Sequence, residues 1–109
     1  MSDIDRTEHP AAKTDDIAHG EALRVEIGER EIAIFNLGGV FYATSDTCTH
    51  SFASLADGFI EDDCVECPLH GGRFDIKTGA AIEEPCTEDL EIFPVRVDGG
   101  TVFVAVPAD

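Results

Sequence analysis

The sequence predicts an all-β fold, and three observations support this prediction. Five segments show apolar side chains at alternate positions or in short β-branched and aromatic runs, as half-buried strands do. Glycine-containing turns separate two pairs of these segments, as expected for β-hairpins. No segment of ordinary helix length shows the 3.6-residue period of an amphipathic helix. The chain is therefore predicted to be a β scaffold.

The first strands follow a polar start. Residues 1–19 carry charges throughout and lack periodicity, so we expect them to be weakly structured. In residues 22–27 every second side chain is apolar, which predicts the first strand. A second strand is predicted over 31–36 and a third over 40–44. The turn at 37–40 contains two glycines and joins the second and third strands into a hairpin.

A second hairpin is predicted near the end of the chain. Its strands are residues 90–97 and 101–106, and they flank an Asp-Gly-Gly turn. Pro94 has no N–H to donate, so it predicts an edge or a bulge in the first of these strands. Between the two hairpins, residues 45–88 form a loop-rich region that contains all four cysteines. A rigid scaffold that carries exposed loops suits a functional site, and we expect the site in this region.

Composition limits the class of function. The 109 residues suffice for one domain, and 23 Asp and Glu against 7 Lys and Arg give a formal net charge of −16. That charge repels nucleic acids and anionic membrane surfaces, and it favours basic partner proteins or simple solubility. The first twenty residues contain no secretory or membrane-spanning segment, so we expect a cytoplasmic protein. We also expect the protein to be a monomer. In the cytoplasm, four cysteines favour metal or redox chemistry over disulfides.

The loop-rich region contains two cysteine–histidine pairs. Cys48 and His50 form C-x-H, and Cys67 and His70 form C-x2-H after a gap of sixteen residues. Each pair supplies one thiolate and one imidazole, which matches the ligation of a [2Fe–2S] cluster by two cysteines and two histidines. Neutral imidazoles make such a cluster less negative and raise its reduction potential.

Zinc is the alternative metal, and it would make the chain a structural interaction module. Zinc also accepts two cysteines and two histidines, and Cys64 with Cys67 gives a C-x2-C pair that begins a zinc knuckle with His70. Zinc fingers, however, usually combine C-x2–4-C with H-x3–5-H on a helix, and the first pair here is C-x-H. The spacing therefore favours the iron–sulfur cluster and leaves zinc open.

The flanking residues extend the pattern into a family resemblance. The segment 67–75 (CPLHGGRFD), with CTH at 48–50 and KTG at 77–79, closely resembles the Rieske [2Fe–2S] ferredoxins of bacterial ring-hydroxylating dioxygenase systems. The resemblance covers roughly residues 20 to 107. It implies the Rieske fold, in which antiparallel sheets stack and a loop-rich cluster-binding region lies at one tip. It also implies one [2Fe–2S] cluster in a single domain over residues 1–109.

The resemblance implies roles for individual residues and for the chain. Cys48 and Cys67 would bind the buried iron, His50 and His70 would bind the outer iron, and a proline-containing loop at 83–87 would cover the cluster. The chain would not be an enzyme itself. It would accept one electron from a flavin-containing, NADH-dependent reductase and pass it to a terminal oxygenase.

Two related functions fit the sequence less well. An oxygenase needs a second, mononuclear iron site with two histidines and a carboxylate, and only His9 and His19 remain for it, both in the polar start. The high-potential Rieske subunits of respiratory complexes have a membrane anchor and a cysteine pair that braces the ligand loops. This chain has Ala53 and Leu69 at the positions of those cysteines.

The sequence also predicts the roles of several other residues near the two cysteine–histidine pairs. Cys64 and Cys86 do not match ligand positions and are expected to be buried or half-buried small apolar side chains. Gly71 and Gly72 are expected to form a turn and to bring N–H groups to the cluster sulfurs. In the high-potential relatives, Ser and Tyr supply hydroxyl groups at the positions of Gly72 and Phe74, so we expect a reduction potential near the low end of the Rieske range.

Overall fold

The computed structural model describes residues 6–49, 53–69, 71–84 and 88–107, and its strands form three antiparallel sheets. The sheet orders are β1-β11-β10, β2-β3-β4-β9 and β5-β6-β7-β8. Two short 3₁₀ turns, η1 (Thr14–Asp16) and η2 (Leu55–Asp57), lie between strands. The predicted all-β class with stacked antiparallel sheets is confirmed. No helix in these ranges is long and apolar enough to span a membrane. The strands are β1 (Arg6–Lys13), β2 (Ala22–Ile27), β3 (Arg30–Leu37), β4 (Val40–Ser45), β5 (Phe59–Glu61), β6 (Cys64–Glu66), β7 (Arg73–Asp75), β8 (Ala81–Glu83), β9 (Ile92–Phe93), β10 (Val95–Asp98) and β11 (Thr101–Pro107).

The predicted central hairpin is confirmed. Strands β3 and β4 pair from Leu37 opposite Val40 to Ile32 opposite Ser45, and β2 pairs with the other edge of β3. The turn between β3 and β4 consists of Gly38 and Gly39, whose φ angles are +67° and +94°. Two successive positive φ angles are what a two-residue hairpin turn with the strand twist requires, which explains the glycine pair.

Residues 6–19 of the polar start are ordered, so the prediction of a weakly structured segment is wrong for this part of it. Strand β1 pairs with β11 from Arg6 opposite Pro107 to Lys13 opposite Thr101. Most side chains of β1 are exposed, so its backbone hydrogen bonds to β11 hold it and no alternating pattern marks it in the sequence. Ile17, which follows β1, is buried, and its carbonyl accepts a hydrogen bond from Asn36 Nδ2 at 2.8 Å.

The segment 90–97, predicted as one strand, is two strands in two sheets. Strand β9 pairs with β4, whereas β10 pairs with β11, and Pro94 lies between them. Because proline has no N–H, the ladder is interrupted there and the chain crosses from one sheet to the next. The Pro94 carbonyl still accepts a hydrogen bond from the Ala105 N–H at 2.9 Å.

The loop-rich region is an insertion into the scaffold, as predicted. Strands β4 and β9 are neighbours in one sheet, so the chain between them leaves the sheet and returns to it. This insertion has its own sheet, β5 to β8, which the sequence did not reveal because each strand has only three residues.

The sheets stack because β3 is buried on both faces. Ile32 and Ile34 join one apolar cluster with residues of β11, and Ala33 and Phe35 join a second with residues of the inserted sheet. The strand period of two sends alternate side chains to opposite faces. The scaffold sheet therefore lies between the other two, and the second cluster supports the predicted site. The buried members of that second cluster are Ala33, Phe35, Cys48, Leu55, Val65, Cys67, Phe74, Ile76 and Leu90.

Candidate metal centre

The structure brings two of the four predicted ligands into one apolar cluster. Cys48 follows β4 and Cys67 follows β6, and their exposed fractions are 0% and 1%. Both belong to the cluster that also contains Val65 and Phe74, so their segments converge on the same part of the core. The other two predicted ligands, His50 and His70, lie outside the described residues.

A short antiparallel ladder closes the first ligand-bearing segment. The Cys48 N–H donates to the Ala53 carbonyl at 2.9 Å, and Thr47 forms an isolated β-bridge with Ser54. Residues 50–52, which come next in the sequence, lie outside the described residues. The Thr49 hydroxyl donates to the Glu88 carbonyl at 2.8 Å, which ties this loop to the segment that follows the predicted cover loop.

The second ligand-bearing segment is a tight turn. The Cys67 N–H donates to the Gly72 carbonyl at 2.8 Å, and the Gly71 N–H donates back to the Cys67 carbonyl at 3.2 Å. Gly71 has a φ of +76°, which favours glycine, so the predicted turn is confirmed. The Gly71 N–H is used by the turn itself, and contact of the N–H groups of Gly71 and Gly72 with a cluster sulfur stays a prediction. Leu69, at the outside of the turn, is 70% exposed.

The bases of the two segments meet backbone to backbone. Gly58 follows η2 and passes so close to β6 that a Cβ atom on it would lie within 3.0 Å of the Glu66 carbonyl oxygen. Glu66 directly precedes Cys67, and η2 follows the loop that carries Cys48. Gly58 therefore fixes the distance between the two segments that carry the cysteines.

The described residues fit an iron–sulfur cluster that has thiolate ligands on its buried side. An ionised thiol in an apolar surrounding is costly unless a metal or a cationic partner compensates it, and Cys48 and Cys67 both lie in such a surrounding. The two thiols also lie on two separate loops, so a metal group bound to both would cross-link segments that are distant in the sequence. In sequence, each cysteine is followed within three residues by a histidine.

Cys64 lies apart from this pair. It is half-buried on β6, and strand alternation places it on the face opposite Val65, which packs into the core. Burial raises the pKa of the Cys64 thiol, and the negative charge of Asp75 raises it further. The predicted half-buried, small side chain is confirmed, and this position speaks against a zinc knuckle that uses Cys64 together with Cys67. Cys86 and residues 85–87 of the predicted cover loop lie outside the described residues.

The two remaining histidines are in the scaffold. His9 is half-buried on β1, opposite Val104 of β11. His19 is exposed, and its Nδ1 accepts a hydrogen bond from the Gly38 N–H at 2.6 Å. Over the described ranges, which omit His50 and His70, no group of three or more His, Cys, Asp or Glu side chains is placed to hold a metal ion.

The outer face of the inserted sheet is acidic. Arg73 of β7 lies among three carboxylates, at 3.2 Å from Glu61, 3.5 Å from Glu66 and 3.9 Å from Glu83. These charges, that of Glu83 foremost, raise the pKa of the Arg73 guanidinium. Since Glu66 and Arg73 flank the turn that carries Cys67, the negative surface begins beside the candidate site.

Comparison with known proteins gives consistent matches. The family described as the Rieske [2Fe–2S] domain matches residues 7–94. The 3-phenylpropionate/cinnamic acid dioxygenase ferredoxin subunit of Escherichia coli (strain K12) is 48% identical over 93 residues, which is 84% of this chain and 87% of that protein. A chain in the complex of reduced oxygenase and oxidized ferredoxin in carbazole 1,9a-dioxygenase is 41% identical, with a TM-score of 0.85, and covers 90% of this chain and 92% of its own length. The Sphingomonas yanoikuyae B1 ferredoxin has a TM-score of 0.88 at 33% identity and covers 93% of this chain and 100% of its own.

Proposed function

Because this chain belongs to the Rieske [2Fe–2S] domain family, we propose that it carries single electrons from an NADH-dependent flavoprotein reductase to a terminal ring-hydroxylating oxygenase. The resemblance predicted from the sequence is confirmed by the family match and by relatives that are named ferredoxin subunits of a dioxygenase. Such a subunit is an electron-transfer component and not the catalytic one, as predicted. The family also implies the predicted [2Fe–2S] cluster.

The observation that carries the proposal is the joint burial of Cys48 and Cys67 in one apolar cluster. We propose that these two cysteines bind the buried iron of one cluster per chain and that His50 and His70 bind the outer iron. A cluster of this kind supplies reversible one-electron chemistry, and its imidazole ligands raise the potential above that of an all-cysteine cluster. The surrounding apolar side chains, such as Phe74, keep water away from the thiolates.

The surface beside the site supports contact with protein partners. Leu69 is exposed directly before His70 in the sequence, so an apolar contact is available next to a proposed ligand of the outer iron. The formal charge of −16 favours association with basic surfaces. A chain that this protein resembles was solved in a complex of oxygenase and ferredoxin, which supports an oxygenase as the acceptor. The reductase as electron donor follows from the family resemblance.

The proposal extends to organisation. We propose a single domain over residues 1–109, because β1 and β11 pair with each other and the three sheets share two apolar clusters. We also propose that the protein is a monomer. The proposed NADH-dependent donor makes the cytoplasm the expected location.

Anaerobic reduction tests the proposed function directly. The purified protein is mixed with NADH, with and without a flavin-containing ferredoxin reductase of an aromatic dioxygenase system. The visible absorbance of the oxidised cluster should bleach only with the reductase present, by one electron per chain. It should return on addition of the oxygenase of the same system. A colourless protein that contains zinc, or a reduced protein that the oxygenase does not reoxidise, would contradict the proposal.

A further inference from the structure

Asp46 is a buried carboxylate next to the first ligand-bearing loop. It lies two residues before Cys48 and its exposed fraction is 1%. Burying a carboxylate costs free energy unless hydrogen bonds and an opposite charge compensate the lost hydration. The partners of Asp46 therefore indicate what the residue does.

Two of these partners lie at the far end of the loop. The Asp46 carbonyl accepts the Leu55 N–H at 2.7 Å, and the Asp46 carboxylate accepts the Ala56 N–H through Oδ1 at 2.9 Å. These are the first two N–H groups of η2, which lack partners inside the 3₁₀ turn. The residue that precedes η2, Ser54, makes no side-chain cap to it. Asp46 thus caps η2 from across the loop.

The other partners belong to the scaffold. Arg24 of β2 places Nε 3.5 Å from Asp46 Oδ2, and the Asp46 N–H donates to the Glu31 carbonyl of β3 at 2.9 Å. The Arg24 guanidinium also bonds the Glu31 carboxylate and lies 3.4 Å from Glu26. The carboxylate is therefore held from the scaffold side while it holds η2 on the other side.

We infer that Asp46, held by Arg24, is a positioning residue that keeps the first ligand loop closed and so slows loss of the cluster. This inference rests on the proposed function, because it takes Cys48 and His50 as ligands. Both of these residues lie in the loop between Asp46 and η2. Release of either ligand requires the loop to open, and opening breaks the bonds that Asp46 makes at the base.

The test measures iron release from the reconstituted protein into excess ferrous chelator, under anaerobic reducing conditions. Asp46→Ala removes the cap and the ion pair together, and we expect it to release iron at least tenfold faster than wild type. Asp46→Asn keeps an oxygen for the Ala56 N–H but loses the charge, so its rate should lie between the two. Arg24→Gln leaves Asp46 in place and should also give an intermediate rate. Because the Arg24 side chain is 44% exposed, whereas Asp46 is buried, this variant carries the test if Asp46→Ala fails to fold.

Asn36→Ala is the matched control. Asn36 is also a buried polar residue, with Nδ2 donating to the Ile17 carbonyl and Oδ1 accepting the Gly39 N–H, both at 2.8 Å. These bonds lie at the opposite end of β3 from the ligand loop. Asn36→Ala should lower the melting temperature and leave the iron-release rate and the electron paramagnetic resonance of the reduced cluster at wild-type values. Asp46→Asn, in contrast, should change both the electron paramagnetic resonance of the reduced cluster and the iron-release rate from their wild-type values.

The outcomes separate the inference from the proposed function. If iron release follows the melting temperature alone, so that Asn36→Ala is as fast as the Asp46 variants, Asp46 has only a structural role and the inference is wrong. Wild-type release rates in the Asp46 and Arg24 variants would also overturn it. A wild-type protein that binds no [2Fe–2S] cluster would instead contradict the proposed function.

Discussion

Replacing Gly58 with alanine should loosen the junction between the two ligand-bearing segments. The new Cβ would lie within 3.0 Å of the Glu66 carbonyl oxygen and 3.1 Å from the Leu55 carbonyl oxygen. The φ of Gly58 is −80°, which any residue adopts, so the effect of the change is steric. Both neighbours are backbone atoms and cannot rotate away.

The size of the effect follows from this geometry. Ordinary contacts of a Cβ atom begin at 3.4 Å, so η2 and β6 must move apart to admit the methyl group. Overpacking of this kind costs about 1–3 kcal/mol, and the rigid backbone on both sides places Gly58→Ala at about 2–3 kcal/mol. In a domain of this size the melting temperature should then fall by about 10–20 °C. The iron-release rate should rise, because the movement separates the segments that carry Cys48 and Cys67.

Gly99→Ala provides the control for this prediction. Gly99 lies in the turn between β10 and β11 with a φ of +59°, and a Cβ there would have no neighbour within 4 Å. Its only cost is the left-handed conformation, about 1 kcal/mol, with no effect on iron release. Thermal unfolding by circular dichroism suits the measurement, since the chain has no tryptophan. A melting temperature of Gly58→Ala equal to wild type, or above that of Gly99→Ala, would refute the reasoning.

Three further predictions concern the cluster and its partners. Cys64→Ser should leave two irons and two sulfides per chain, since Cys64 lies on the outer face of β6; loss of iron in this variant would contradict the proposed ligand set. The bimolecular rate of reduction by the flavoprotein reductase should fall as salt rises, because the steering charge of −16 is screened over about 8 Å at physiological ionic strength; a stopped-flow rate that is flat with salt would reject steering. Phe74→Tyr should raise the reduction potential, because Phe74 shares the apolar cluster of Cys48 and Cys67 and a hydroxyl group that donates to the iron–sulfur cluster stabilises its reduced state; an unchanged midpoint in voltammetry would count against this.

The sequence predicted those strands that have a recognisable pattern of apolar side chains. Strands β2, β3 and β4 lie within one residue of their predicted bounds, and the glycine pair at 38–39 located the turn. Strand β1 was missed because backbone bonds to β11 hold it while most of its side chains are exposed. Pro94 signalled an irregularity, but only the pairing of β9 with β4 shows that the chain changes sheets there.

For the site, the sequence identified the two cysteines but not the residues that support them. Spacing and flanking residues identified Cys48 and Cys67, because ligand chemistry demands fixed residue types. The structure places both cysteines in one cluster of buried apolar side chains. Asp46 and Gly58 were not predicted. An aspartate and a glycine in a loop-rich region usually belong to turns, and their roles depend on contacts with η2 and with Glu66 that no local pattern encodes.

Protein-film voltammetry at neutral pH is the measurement that tests the central claim most directly. The claim is that this chain holds a Rieske-type cluster and delivers low-potential electrons to an oxygenase. Neither Gly72 nor Phe74 has a hydroxyl group to stabilise the reduced cluster, so a reversible one-electron wave is predicted near the low end of the Rieske range, about −150 mV. The absence of a wave, or a midpoint above about +100 mV, would contradict it.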